Sequence, residues 1–135
     1  MKPNYKILII DDNTIDQIVT KQLLKKTLGI TDISTANNGK EGIQWLNNHK
    51  RYFEESLIIL LDIKMPEMDG FEFLSEYETL PEELKRETQI FMLSSTLDPN
   101  DIARAKNNKY VKNLLSKPLP IKEFGEMIDP DFSPK

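Results

Sequence analysis

Five polar residues stand where their types and spacing could do chemistry together. Asp11 and Asp12 close one apolar run, Asp62 closes a second, Ser94 closes a third, and Lys117 follows the last strand-like segment, Val111–Leu115. Carboxylates gathered at one place repel each other unless something cationic sits among them. The natural resident is a hard divalent cation with oxygen ligands, such as Mg²⁺. A lysine adds a positive charge that can reach an oxyanion, and a serine hydroxyl adds a hydrogen-bond donor. Such a set suits a phosphoryl group. A carboxylate attacks it, the metal and lysine offset charge on its equatorial oxygens, and the hydroxyl orients one of them.

This chemistry requires elements that bring the five residues to one edge. Ile7–Ile10, Leu57–Leu61 and Gln89–Leu93 are short apolar runs of the kind that form buried strands, and Thr31–Ala36 and Val111–Leu115 are further strands. Helical patterns lie between them. The first, capped by Asn13 or Thr14, carries Ile15, Ile18, Val19, Leu23, Leu24 and Leu28 on one inward face and ends at Gly29. A second runs to about His49 with Ile43 and Leu46 inward, and a third carries Phe71, Leu74 and Tyr77. Pro81–Glu87 is a polar, helical connection. Asp98 followed by Pro99 caps another helix, and Ile121, Phe124 and Ile128 mark the last. Strands alternating with helices imply an α/β fold, a parallel sheet covered on both faces. Function in such sheets collects at the carboxyl ends of the strands, where all five residues fall.

The bulk numbers set limits. A chain of 135 residues suits one domain, and 39% hydrophobic content suits one core. The net charge of −4 argues against nucleic acid as the partner. Without cysteine there is no thiol chemistry, thiolate metal site or disulfide. No apolar run reaches the roughly 20 residues of a membrane span. The strand-like N-terminus leaves no room for a signal peptide, so a cytoplasmic protein is expected, with no membrane partner.

Asp11–Asp12 after a strand, Asp62 within LLDIKMPEMDG, Ser94 after FML, and Lys117–Pro118 together resemble the response-regulator receiver family, from about Tyr5 to Ile128. The resemblance implies a flavodoxin-like, doubly wound (βα)5 fold with sheet order 2-1-3-4-5. It implies a receiver domain over 1–128 and a tail over 129–135. It makes Asp62 the phosphoacceptor, Asp12 a direct Mg²⁺ ligand and Asp11 an assisting one. The backbone carbonyl of Lys64 completes the protein ligands, Ser94 is the switch hydroxyl, and Lys117 binds the phosphoryl group. The donor would be a sensor histidine kinase or histidine phosphotransfer protein. The output would be an unknown protein target, so the chain would be a stand-alone two-component regulator and not an enzyme. Two departures stand out. Leu114 occupies the place where the family often has an aromatic residue, with Tyr110 out of register, and Glu78–Thr88 is longer than the family minimum.

Other readings fit less well. An aspartate-nucleophile phosphotransferase needs a second acid two residues after the nucleophile, where Lys64 stands. A nucleotide or flavin binder wants a glycine-rich or hydroxyl-rich loop after the first strand, where Asp11, Asp12 and Asn13 stand. An interaction module that had lost phosphorylation would not need the full pocket. Ser95 is as suited to a cap as to the pocket. Lys64 is a solvated loop lysine placed to tune dephosphorylation. His49, the only histidine, is expected on the surface. Trp45, Phe71, Phe73 and Tyr77 are packing residues, with Phe73 off the buried stripe, and Glu82, Glu83, Lys85, Arg86 and Glu87 form a solvated face. Phosphorylation would draw Ser94 inward and shift the loop to Asp98 and the helix after it. The seven residues after Ile128 leave the output to partner binding or phosphoryl relay.

Overall fold

The computed structural model describes residues 5–49, 55–96, 98–129 and 131. In chain order the elements are β1 (Tyr5–Ile10), α1 (Thr14–Leu28), β2 (Ile33–Ala36), α2 (Gly39–Asn48), β3 (Ser56–Asp62), α3 (Gly70–Glu78), α4 (Glu82–Lys85), β4 (Thr88–Ser94), α5 (Pro99–Asn107), β5 (Val111–Ser116) and α6 (Ile121–Ile128). The strands form one all-parallel sheet in the order β2-β1-β3-β4-β5. This is the doubly wound arrangement that the family resemblance implied. Among the described residues no helix is long and apolar enough to cross a membrane.

Strand side chains alternate between faces, so each central strand feeds two cores. Leu8, Ile10, Ile59, Leu61 and Met92 pack with Leu46 of α2, Phe71, Phe73, Leu74 and Tyr77 of α3 and Ala105 of α5. Ile7, Ile9, Ile58, Leu60, Phe91 and Leu93 pack with Leu24 of α1 and Phe124 and Ile128 of α6. Burial on both faces is why β1, β3 and β4 read as unbroken apolar runs.

Several expectations need correction. In α1 the inward positions are Gln17, Thr20 and Leu24, whereas Ile15 is 71% exposed, Ile18 54% and Val19 41%. The helix is rotated from the phase its aliphatic residues suggest. Gln17 is held at the sheet edge: its amide donates to the Asp11 carbonyl (2.6 Å) and to Asn37 Oδ1 (3.0 Å). Leu23 and Leu28 remain at the margin of the core. Phe73 is fully buried instead of lying off the stripe. Lys85 is not on a solvated face. Its side chain is 7% exposed, donates to the Glu78 carbonyl (3.0 Å) and lies over the rings of Tyr77 and Tyr110. His49 is half-buried, stacked on Trp45 with ring centroids 4.3 Å apart and within 2.8 Å of Lys6 Nζ.

The caps of α1 and α5 follow the sequence, and α3 has one that sequence reasoning missed. Asn13 Oδ1 accepts from the Asp16 amide, and Gly29 ends α1 with φ +68°. Asp69 and Glu72 form a reciprocal capping box at α3. Asp98 caps α5, with Pro99 at its first position.

Candidate phosphoryl and metal site

Strand register, more than any single loop, builds the site. Ile10 lies opposite Leu61, so Asp11 emerges beside Asp62. Asp62 lies opposite Leu93, so Ser94 emerges one step further along, and Ser94 lies opposite Ser116, one residue before Lys117. The Lys117 amide donates to the Ser94 carbonyl (2.9 Å), continuing the ladder past the end of β5.

Three of the expected carboxylates meet. Oxygens of Asp11, Asp12 and Asp62 lie within 4.8 Å of one another, with Asp11 and Asp62 buried and Asp12 exposed. The Lys117 ammonium is hydrogen-bonded to Asp11 Oδ2 (2.8 Å) and stands 3.4 Å from Asp62 Oδ2. It also reaches Asp16 Oδ2 at 3.0 Å. Sequence reasoning missed Asp16 and Gln17. Their signal was weak: an acid in the first turn of a helix is ordinary, and a glutamine on an aliphatic stripe reads as a break in it.

The electrostatics follow from this crowding. Burial pushes the Asp62 carboxyl up to about 6, and the charges of Asp11 and Asp12 add to the rise, while Lys117 opposes it. Burial alone would lower Lys117, but its hydrogen bonds to Asp11 and Asp16 and the charge of Asp62 outweigh that and raise it. The lysine is therefore a permanent cation inside a nest of acids.

Ser94 is placed but not yet aimed. Its buried hydroxyl donates to the Thr96 carbonyl and accepts from the Thr96 amide (3.2 Å). Ser95 is exposed, as is Lys64 in the loop after β3. That loop turns at Glu67, which takes a left-handed φ of +67°, and returns where the Gly70 amide donates to the Ile63 carbonyl (2.8 Å). Leu114 is half-buried against the α2–α3 core, and Tyr110 stacks edge-on against Tyr77.

The donor set fits a hard divalent cation: clustered carboxylate oxygens with one exposed member, and space for water on that side. Asp11, Asp12 and Asp62 could hold Mg²⁺.

Comparison with known proteins agrees with the fold. The family model of the response regulator receiver domain matches residues 7–129. A solved response regulator receiver protein from Dyadobacter fermentans is 34% identical, with a TM-score of 0.84 over 92% of this chain and 94% of that one. A solved two-component response regulator from Cytophaga hutchinsonii is 26% identical, with a TM-score of 0.83 over 96% and 97% of the two chains. A probable C4-dicarboxylate response regulator of Bacillus subtilis is 27% identical over 128 residues, which are 95% of this chain and 52% of that protein. The chain thus spans about half the length of that relative.

Proposed function

The chain belongs to the response regulator receiver domain family, a module of two-component signalling, and on that premise we propose that it accepts a phosphoryl group on Asp62 and thereby switches its binding to a partner protein. The donor is a phosphohistidine on a sensor histidine kinase or a histidine phosphotransfer protein. The observation that carries this reading is the convergence of Lys117 on Asp62 and Asp11 at the mouth of a three-carboxylate cluster.

In the transfer, an Asp62 carboxylate oxygen attacks phosphorus. The P–N bond of the donor breaks, and its electron pair stays on the imidazole nitrogen. The products are an acyl phosphate and a free histidine. Lys117 is already charged and lies beside the incoming oxygens, so it needs no proton to act as an electrostatic clamp. Its bonds to Asp11 and Asp16 hold it there when no phosphoryl group is present. Bound between Asp11, Asp12 and Asp62, with the Lys64 carbonyl, Mg²⁺ would offset charge on the transferring oxygens. Ser94 must give up its bonds to Thr96 to reach the phosphoryl group, which ties acceptor chemistry to the β4–α5 loop. Ile15, Ile18 and Val19 are exposed on α1, the helix that follows the acid pair, and an exposed apolar patch is where a donor protein would dock.

The test is beryllofluoride, a phosphoryl mimic. Wild-type protein should bind it only with Mg²⁺, and Asp62→Asn should abolish binding. Equal binding by that variant, or binding without the metal, would overturn the proposal.

A further inference from the structure

Helix α5 begins at the Asp98 cap, four residues after Ser94 ends β4. It is lightly seated. Ala105 is its only buried residue, with Ile102 half-buried. Helix α3 by contrast buries Phe71, Phe73, Leu74 and Tyr77. So little buried apolar surface anchors a helix weakly. Its tie to α3 is Arg104, whose guanidinium carbon lies 3.8 Å from the Phe71 ring centroid. Among the described residues Arg104 makes no ion pair, so the ring is its specific partner.

A groove of about 490 Å³ separates α5 from the loop after the acceptor. Arg104 and Asp101 line one side, Lys64, Met65 and Phe71 the other, and Asp12 stands at its acceptor end. The helix therefore has room to move relative to that loop. Its N-terminal side is restrained by the bonds between Ser94 and Thr96. A phosphoryl oxygen that draws the Ser94 hydroxyl away removes that restraint, and the Arg104–Phe71 stack, beside the buried Ala105, then still holds α5 to α3.

We infer that the Arg104–Phe71 stack is a latch that keeps α5 in its resting position, so that opening it is energetically coupled to phosphoryl binding at Asp62. Arg104 is a positioning residue and touches neither the acceptor nor the phosphoryl group. A contact made only in the resting state opposes the bound state by its own strength, so removing it must tighten phosphoryl binding. For an exposed cation–ring contact the expected factor is about two- to five-fold. The coupling presumes Asp62 as the acceptor, whereas the latch itself does not.

Two measurements on the full chain decide it: calorimetric titration of the Mg²⁺–beryllofluoride adduct, and native-state hydrogen exchange of the α5 amides. Arg104→Ala should tighten the mimic about two- to five-fold and speed α5 exchange by a similar factor. Arg104→Lys should fall between, and Lys106→Ala, on the same helix, should match wild type. In a Phe71→Leu background, Arg104→Ala should add nothing. Unchanged or weaker binding by Arg104→Ala overturns the latch, because a residue contacting the phosphoryl group would weaken binding when removed. Should no variant bind the mimic, wild type included, the acceptor proposal fails instead. Hydrogen exchange then decides the latch, which is overturned if α5 exchange is unchanged in Arg104→Ala.

Discussion

Asp62 is a residue the fold holds at a disadvantage. In the metal-free protein its carboxyl titrates at about 6, raised by burial and then by its acidic neighbours. Unfolded, it would titrate near 3.9. Between those values the native state binds the extra proton, so stability falls as pH rises through that window and the full penalty is present above about pH 6. Asp62→Asn should therefore stabilise the metal-free protein at pH 7, by about 1–2 kcal/mol once solvent screening is allowed for, with the gain vanishing below about pH 4. Urea denaturation of both proteins across that range checks the sign. A constant difference at every pH would mean that the carboxylate is not strained by its surroundings. Lys117 is the counterpart. Its partners Asp11 and Asp16 persist without Asp62, so Asp62→Asn leaves the lysine paired. Asp11, Asp12, Asp62 and Lys117 were all legible as strand-end residues, whereas Asp16, on α1, was not. The aim of the Ser94 hydroxyl was not, because a serine rotamer answers to the nearest backbone groups, here those of Thr96.

The phase of helix α1 is a statement about an element. Its aliphatic residues suggest one inward face, but Gln17 and Thr20 take that place and Ile18 faces solvent. Ile18→Ala should change stability by less than about 0.5 kcal/mol, whereas Leu24→Ala should cost about 2–4 kcal/mol. Comparable losses at both positions would return α1 to the phase read from its sequence. Helix α3 makes a second prediction. A Cβ added at Gly70 would lie 2.7 Å from the Asp62 carbonyl and 2.8 Å from the Met92 methyl. The flexible methionine can yield and the β3 backbone cannot. Gly70→Ala should cost about 1–3 kcal/mol and weaken mimic binding, since the displaced strand end carries Asp62. Thermal melts and a beryllofluoride titration of the one variant check both halves. Glycine at this position is readable in the sequence as a loop end, but its close approach to Asp62 is a fact of packing.

At the scale of the whole molecule, the sheet brings residues more than a hundred positions apart to one edge, as the pairing of Asp11 with Lys117 illustrates. A ligand that binds only this assembled edge must stabilise the fold by mass action. Mg²⁺ at a hundred times its dissociation constant should add about 2.7 kcal/mol at pH 7. That gain should shrink as pH falls through about 6, where Asp62 takes up its proton, and should be largely lost in Asp12→Ala. Melting temperature as a function of Mg²⁺ concentration at pH 5 and pH 7.5 is the measurement. Equal shifts at both pH values would place the metal elsewhere. The sequence by itself determined the α/β alternation, the five strand ends and the caps at Asn13 and Asp98. Those features are local: a doubly buried strand must be an apolar run, and its end is where polarity resumes. Only the tertiary structure decided the rotation of α1, the capture of Lys117 by Asp16, the burial of Lys85 and Phe73, and the Arg104–Phe71 contact across the groove. Each is settled by what packs against the residue from a distant part of the chain, and a hydrophobic pattern carries no record of that partner.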